Sequence, residues 1–176
     1  RQARQLKQIA AGDDAIAEYL GGPHYAPSLG NGMSRYLQYL EIDILDTGNG
    51  LVADRLRDQG IIEPSIADEF AAALFCLQRH GTTWKGPYSS VRGLGLHRVL
   101  QKLSLLHGFL RIRTGRLSLY RDLLNQPYDA DREGEPFLWD WTTGKPTPTE
   151  FARVTGTLVT IILPTAWDDQ ATTSAD

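Results

Sequence analysis

Residues 39–51, YLEIDILDTGNGL, constrain this chain more than any other stretch. Leu40, Ile42 and Ile44 alternate with Glu41 and Asp43, and a period of two is that of a strand with one face covered. The strand expected over 39–45 is therefore half-buried. It runs into Asp46, Gly48, Gly50 and Leu51. A carboxylate at a strand end can accept a hydrogen bond from an exocyclic amine such as that of adenine. Guanine would present a carbonyl there, and a buried acceptor without a donor costs about 1–3 kcal/mol, enough to choose between bases. The two glycines allow a sharp bend beside a flat ring. The same residues also suit an ordinary turn capped by Asp, so this motif alone leaves both readings open.

A second stretch, 92–108, reads RGLGLHRVLQKLSLLHG. Leu96, Val99, Leu100, Leu103 and Leu106 recur at helical spacing, which predicts an amphipathic helix from about Gly95 to Gly108. Gly93, Leu94 and Gly95 stand at its mouth, where free backbone N–H groups attract phosphates. Two other phosphate motifs do not fit. A dinucleotide fingerprint would need a third glycine where Arg98 stands, and a P-loop would need Lys and Ser or Thr where Gly86 runs into Pro87 and Tyr88. An ordinary loop-to-helix turn is the alternative.

Around these stretches the pattern predicts a helix over 1–20, interrupted at Gly12-Asp13-Asp14, and an irregular loop over 21–34. A short helix is expected over 51–59, then a better one opened by Pro64-Ser65 and closed at His80-Gly81. Cys76 lies in that helix as a small core residue. A polar loop over 81–91 follows, and a hairpin over 109–113 and 116–120 turns at Thr114-Gly115. Residues 122–150, with Trp139 and Trp141, read as an irregular insertion. Residues 157–163, TLVTIIL, are apolar on both faces and so belong inside a sheet. One domain over 1–165 with a flexible acidic tail over 166–176 accounts for the chain.

With 18 basic against 21 acidic side chains among 176 residues, no basic face for nucleic acid is expected. The single cysteine excludes a disulfide framework. No apolar run approaches the roughly 20 residues of a membrane span, and RQARQLKQ lacks the apolar core of a signal peptide, so a cytoplasmic setting is expected. His24, His80, His97 and His107 have no ligand spacing, and His97 is expected on a solvent-facing side of its helix.

In order and spacing these blocks resemble the ATP-binding domain of the GHKL superfamily, the Bergerat fold, most closely its histidine-kinase-like branch. ILDTGNGL resembles that family's first glycine box, GLGLHRVLQKLSLLHGFLRIRTG its second box with the following helix and strand, and GTLVTIILP its closing strand. The resemblance implies an α+β, two-layer sandwich, with a mixed sheet, helices on one face and the nucleotide between helices and lid. It implies ATP and Mg2+ as ligands, and hydrolysis of ATP or passage of its γ-phosphate to a partner protein or further domain. By resemblance Asp46 reads the adenine amine, Gly48 and Gly50 shape the base pocket with Leu51 behind them, and Thr157 bonds near the base. Gly93, Leu94, Gly95 and Leu96 sit at the phosphates, where Lys85 and Arg92 meet their charge, and residues 81–91 form the lid. The family's magnesium-holding Asn helix has no counterpart in residues 1–20, which contain no Asn. Catalytic residues therefore stay unassigned, and a nucleotide-gated interaction module without turnover, or a degenerate scaffold, remain alternatives to an ATPase or kinase.

Overall fold

The computed structural model describes residues 10–21, 38–78, 95–129 and 138–165. In chain order they form α1 (Ala11–Gly21), β1 (Gln38–Asp46), α2 (Ala53–Asp58), α3 (Ile66–Leu77), α4 (Gly95–Leu105), β2 (Phe109–Gly115), β3 (Leu117–Asp122), β4 (Trp139–Asp140) and β5 (Val154–Thr165). The architecture is α+β. One sheet runs in the order β1-β5-β2-β3-β4, and every neighbouring pair is antiparallel. The expected mixed sheet is thus corrected: among the described residues it has no parallel pair. The reason is local. β2 and β3 form a tight hairpin, and the apolar β5 inserts between β2 and β1, running opposite to both.

Successive residues of a strand face opposite ways, which sorts the core into two halves. Leu110 and Ile112 of β2, Leu117 and Leu119 of β3 and Ile161 of β5 pack under buried residues of α3 and α4, including Phe70, Ala73, Leu77, Leu100 and Leu103. The neighbouring Phe109 and Ile162 point the other way and meet Tyr19 of α1 and Trp141. The helices therefore do not all lie on one face, as expected, because α1 covers the opposite one. Tyr19 anchors it: the ring is tilted against Phe109 at 5.3 Å between centroids, and its hydroxyl donates to the His107 carbonyl at 2.8 Å.

Local chemistry explains the helix ends. α3 starts at a capping box: Ser65 Oγ accepts from the Asp68 N–H at 3.2 Å while Asp68 Oδ2 accepts from the Ser65 N–H at 2.8 Å. The Ser65 hydroxyl, and after it the Ser65 backbone N–H, hold the Asp68 carboxyl below its ordinary value. The helix ends at Leu77, before the expected His80-Gly81. α4 ends with the Gly108 N–H donating to the Leu103 carbonyl at 2.7 Å. The left-handed residue of that cap is His107, at φ 53°, not the glycine. α1 begins at Ala11, so Gly12, Asp13 and Asp14 form its first turn, and the helix expected before them, over residues 1–9, lies outside the described residues. Gly12 is needed there, since a Cβ would overlap the Trp141 indole.

Two further expectations are corrected. Trp139 and Asp140, assigned by pattern to an irregular insertion, pair with Tyr120 and Leu119 as a fifth strand. Asp140 is fully buried and its two carboxylate oxygens accept from the backbone N–H groups of Thr142, Thr143 and Thr149 at 2.8–3.0 Å. β1 is not half-buried. It is the edge strand, and residues 40–46 are all exposed. No helix among the described residues is long and apolar enough to cross a membrane.

Candidate functional site

Residues distant in sequence converge at the end of the sheet where β1 finishes. Asp46 is the register partner of Thr157 across β1 and β5, and Thr157 neighbours Thr114 across β5 and β2. These three side chains share the sheet face on which α3 and α4 lie: Thr114 is two residues beyond Ile112, Thr157 four residues before Ile161, and Asp46 stands opposite Thr157. Beyond Asp46 the chain turns through Gly48 and Gly50 and returns over the strand ends. The Leu51 N–H donates to Thr157 Oγ1 at 2.8 Å and to Thr114 Oγ1 at 3.1 Å. The two hydroxyls are 2.9 Å apart, and Thr114 Oγ1 also reaches the Gly156 carbonyl at 3.3 Å. A pair of buried hydroxyls thus pins the glycine turn to the sheet.

The backbone of the turn requires its glycines. Gly50 has φ 94°, and a Cβ there would come within 3.1 Å of both the Gly156 carbonyl and Thr114 Oγ1. Gly156 has φ 83°, and a Cβ on it would overlap the Asp46 carbonyl oxygen. Gly48 donates its N–H to Asp46 Oδ1 at 2.9 Å, which fixes the carboxylate's orientation. Among the described residues Asp46 Oδ2 has no hydrogen-bond donor, so it is free to accept one from a ligand. Asp46 itself is exposed.

Leu51 roots the turn in the interior, packing against the same core cluster as Leu96 of α4. Cys76 of α3 adds a tie from below, its thiol donating to the Leu51 carbonyl at 3.3 Å, and burial pushes that thiol's pKa up. Gly95 opens α4, and among the described residues no atom stands where a Cβ on it would be. His97, expected at the surface, is buried in the first turn of α4. Its Nδ1 is 2.9 Å from the Tyr128 hydroxyl, because residues after β3 fold back over the helix and Ser104 Oγ accepts the Tyr128 N–H at 3.0 Å.

Of the residues singled out by sequence, Asp46, Gly48, Gly50, Leu51 and Thr157 come together at the sheet end, and Gly95 and Leu96 begin α4. Lys85, Arg92, Gly93 and Leu94, with the expected lid over 81–91, lie outside the described residues. Thr114, Gly156 and Cys76 were not singled out for this site. The signal for the first two was present, since a Thr-Gly pair ends β2 and a Gly-Thr pair opens the apolar run of β5. Among the described residues no group of three or more His, Cys, Asp or Glu side chains could hold a metal ion.

Thr114→Val is expected to cost about 1–2 kcal/mol, the typical loss for a buried hydrogen-bond partner. Urea unfolding would read that loss, and faster hydrogen exchange at the Leu51 amide would locate it. Unchanged exchange at Leu51 would remove Thr114 from its pinning role.

Comparisons of the chain with protein-family models, with curated proteins and with solved structures find no match.

Proposed function

We propose that this chain is an adenine-nucleotide-binding domain of the GHKL type, taking ATP against the end of β1. The observation that carries the reading is the register of Asp46 with Thr157, capped by the twice-bonded Leu51 amide. Two sequence blocks more than a hundred residues apart thereby build one corner. That corner offers an unengaged carboxylate oxygen and, at Gly48 and Gly50, a backbone stripped of side chains. An adenine amine suits the first, and the glycines let the turn close tightly onto β2 and β5 beside it. The phosphates would extend toward the start of α4 at Gly95 and Leu96, where backbone N–H groups are not yet used within the helix.

In the fuller form of this reading the γ-phosphate is hydrolysed or passed to a partner protein, by positioning and electrostatics rather than by covalent chemistry of the protein. No residue described here is assigned as the general base. Incubation with ATP labelled at the γ-phosphate, alone and with candidate acceptor proteins, separates turnover from binding alone.

Calorimetric titration of ATP tests the corner itself. Asp46→Asn replaces an acceptor oxygen by an amide and is expected to weaken ATP by about thirtyfold, roughly 2 kcal/mol. Stability should be unaffected, because the side chain is exposed. GTP is expected to bind the wild-type chain more weakly than ATP by a similar factor. Equal affinity of wild type and variant for ATP would take Asp46 out of base recognition.

A further inference from the structure

We propose that the outer edge of β1 over residues 40–46 is a docking site for an extended segment of another polypeptide in which apolar and basic side chains alternate. β1 ends the strand order, and among the described residues nothing pairs with its outer edge. An antiparallel edge strand turns every second residue's N–H and C=O outward, a ready template for a further strand. Proteins usually blunt such an edge with Pro, Lys, a bulge or a very short strand. β1 has no Pro, Lys or bulge: it is nine residues long, QYLEIDILD, and its register with β5 is unbroken from Gln38 to Asp46. The charges it carries are all acidic, so they repel an acidic strand and leave the edge open to a basic one.

The two faces of the edge specify the partner. Leu40, Ile42 and Ile44 lie on the helix-bearing face and remain 48%, 37% and 53% exposed. They continue the core surface of Ile161 and Val159, their neighbours or near neighbours in β5. On the other face Glu41 and Asp43 are exposed. Asp43 accepts a hydrogen bond from Thr160, and Glu41 has no partner among the described residues. An added strand would therefore bury apolar side chains on one face and set basic ones against two carboxylates on the other. Cross-strand pairs of opposite charge stabilise a ladder, and like charges directly opposite weaken it. That rule disfavours a second copy of this chain in the two registers centred on the exposed middle of the strand. Antiparallel self-pairing centred on Ile42 sets each Glu41 against the other copy's Asp43, and centring on Asp43 sets the two Asp43 side chains together.

The inference does not depend on the nucleotide reading, and ATP affinity measured on the same preparations keeps the two apart. The test uses two synthetic nonapeptides, one alternating lysine with isoleucine and one alternating glutamate with isoleucine. The lysine peptide is expected to bind the wild-type chain and to slow hydrogen exchange at alternate amides of residues 38–46. The variant E41K/D43K, with its fold checked by circular dichroism, should bind the lysine peptide at least tenfold more weakly and prefer the glutamate peptide. Equal binding of both peptides, or of wild type and variant, would overturn the proposal, and so would no binding. A concentration-dependent dimer abolished by Ile42→Lys would show self-pairing instead. Full protection of the outward amides in the free chain would show that the edge is already occupied. Either result also overturns it.

Discussion

Glu69→Gln is expected to lower the free energy of unfolding by about 3 kcal/mol, the scale of breaking a buried ion pair from one side. Glu69 is on α3 and only 1% exposed. Its Oε1 accepts from Arg116 Nε at 2.8 Å and from Arg153 Nη2 at 2.9 Å, and its Oε2 accepts from the Arg116 backbone N–H at 2.9 Å. One carboxylate thus fastens α3 to the β2–β3 turn and to the residues entering β5. The turn is shaped around it: Gly115 has φ 51°, and a Cβ there would stand 2.7 Å from Glu69 Oε2. Glutamine keeps the shape but removes the charge and turns one acceptor into a donor facing a donor. Arg116 keeps Glu150 and the Pro64 carbonyl and the mostly exposed Arg153 regains water, so the loss falls on the buried end of α3, where the amide faces the donors that the carboxylate had met. Glu150, which meets Arg116 at 3.0 Å but is 59% exposed, supplies the control. Glu150→Gln should cost no more than about 0.5 kcal/mol, as exposed ion pairs do. Urea unfolding of both variants, followed by tryptophan fluorescence, reads the difference. Equal losses would mean that Glu69 only fills space.

Glu69 also illustrates what the sequence could not tell. A Glu near the start of an amphipathic helix reads as a solvated charge, because nothing in ADEF announces that Arg116 and Arg153 will arrive from 47 and 84 residues away. His97 failed in the same way, buried by Tyr128 from a stretch that had no periodic signal. Local patterns fared better where they carry their own constraint. Ser65 and Asp68 form a cap within four residues, Thr114-Gly115 turns a hairpin, and a strand apolar on both faces, β5, is enclosed by neighbours on both sides. β1 marks the boundary of that method. Alternation at Leu40, Ile42 and Ile44 gives the facing of the strand correctly, since these residues do share the helix-bearing face. It cannot say whether a helix reaches far enough to cover them. At the sheet end, the nearness of Asp46 and Thr157 was expected only through the family resemblance, whereas Thr114 became visible only when β2 and β5 paired. The sheet's wholly antiparallel order had no signal in any single strand, because direction belongs to the connections.

Gly156→Ala is expected to be about as costly, on the order of 2–4 kcal/mol, and to act on the site and the fold together. The left-handed backbone at φ 83° is open to glycine but costs another residue roughly 1–2 kcal/mol, and forcing a methyl into a filled space adds about 1–3 kcal/mol. Here the filled space is backbone: the added carbon would overlap the Asp46 carbonyl and press on Thr47. Neither can rotate away as a side chain would, so the end of β1 must separate from β5 or the loop before Thr157 must flip. Both outcomes break the Asp46–Thr157 register, and both loosen Leu51 from its two hydroxyls. The variant should therefore lose ATP affinity in the part of the population that stays folded, with faster hydrogen exchange at Leu51 but not at Leu110 or Ile112 in the neighbouring strand. Gly95→Ala is the matched comparison, since a Cβ at that position meets nothing among the described residues and should leave stability nearly unchanged or slightly improved. If Gly156→Ala unfolds no more easily than Gly95→Ala and keeps its Leu51 protection, the close approach between β5 and the end of β1 does not hold in solution. The corner that would receive the nucleotide would then have to be built some other way.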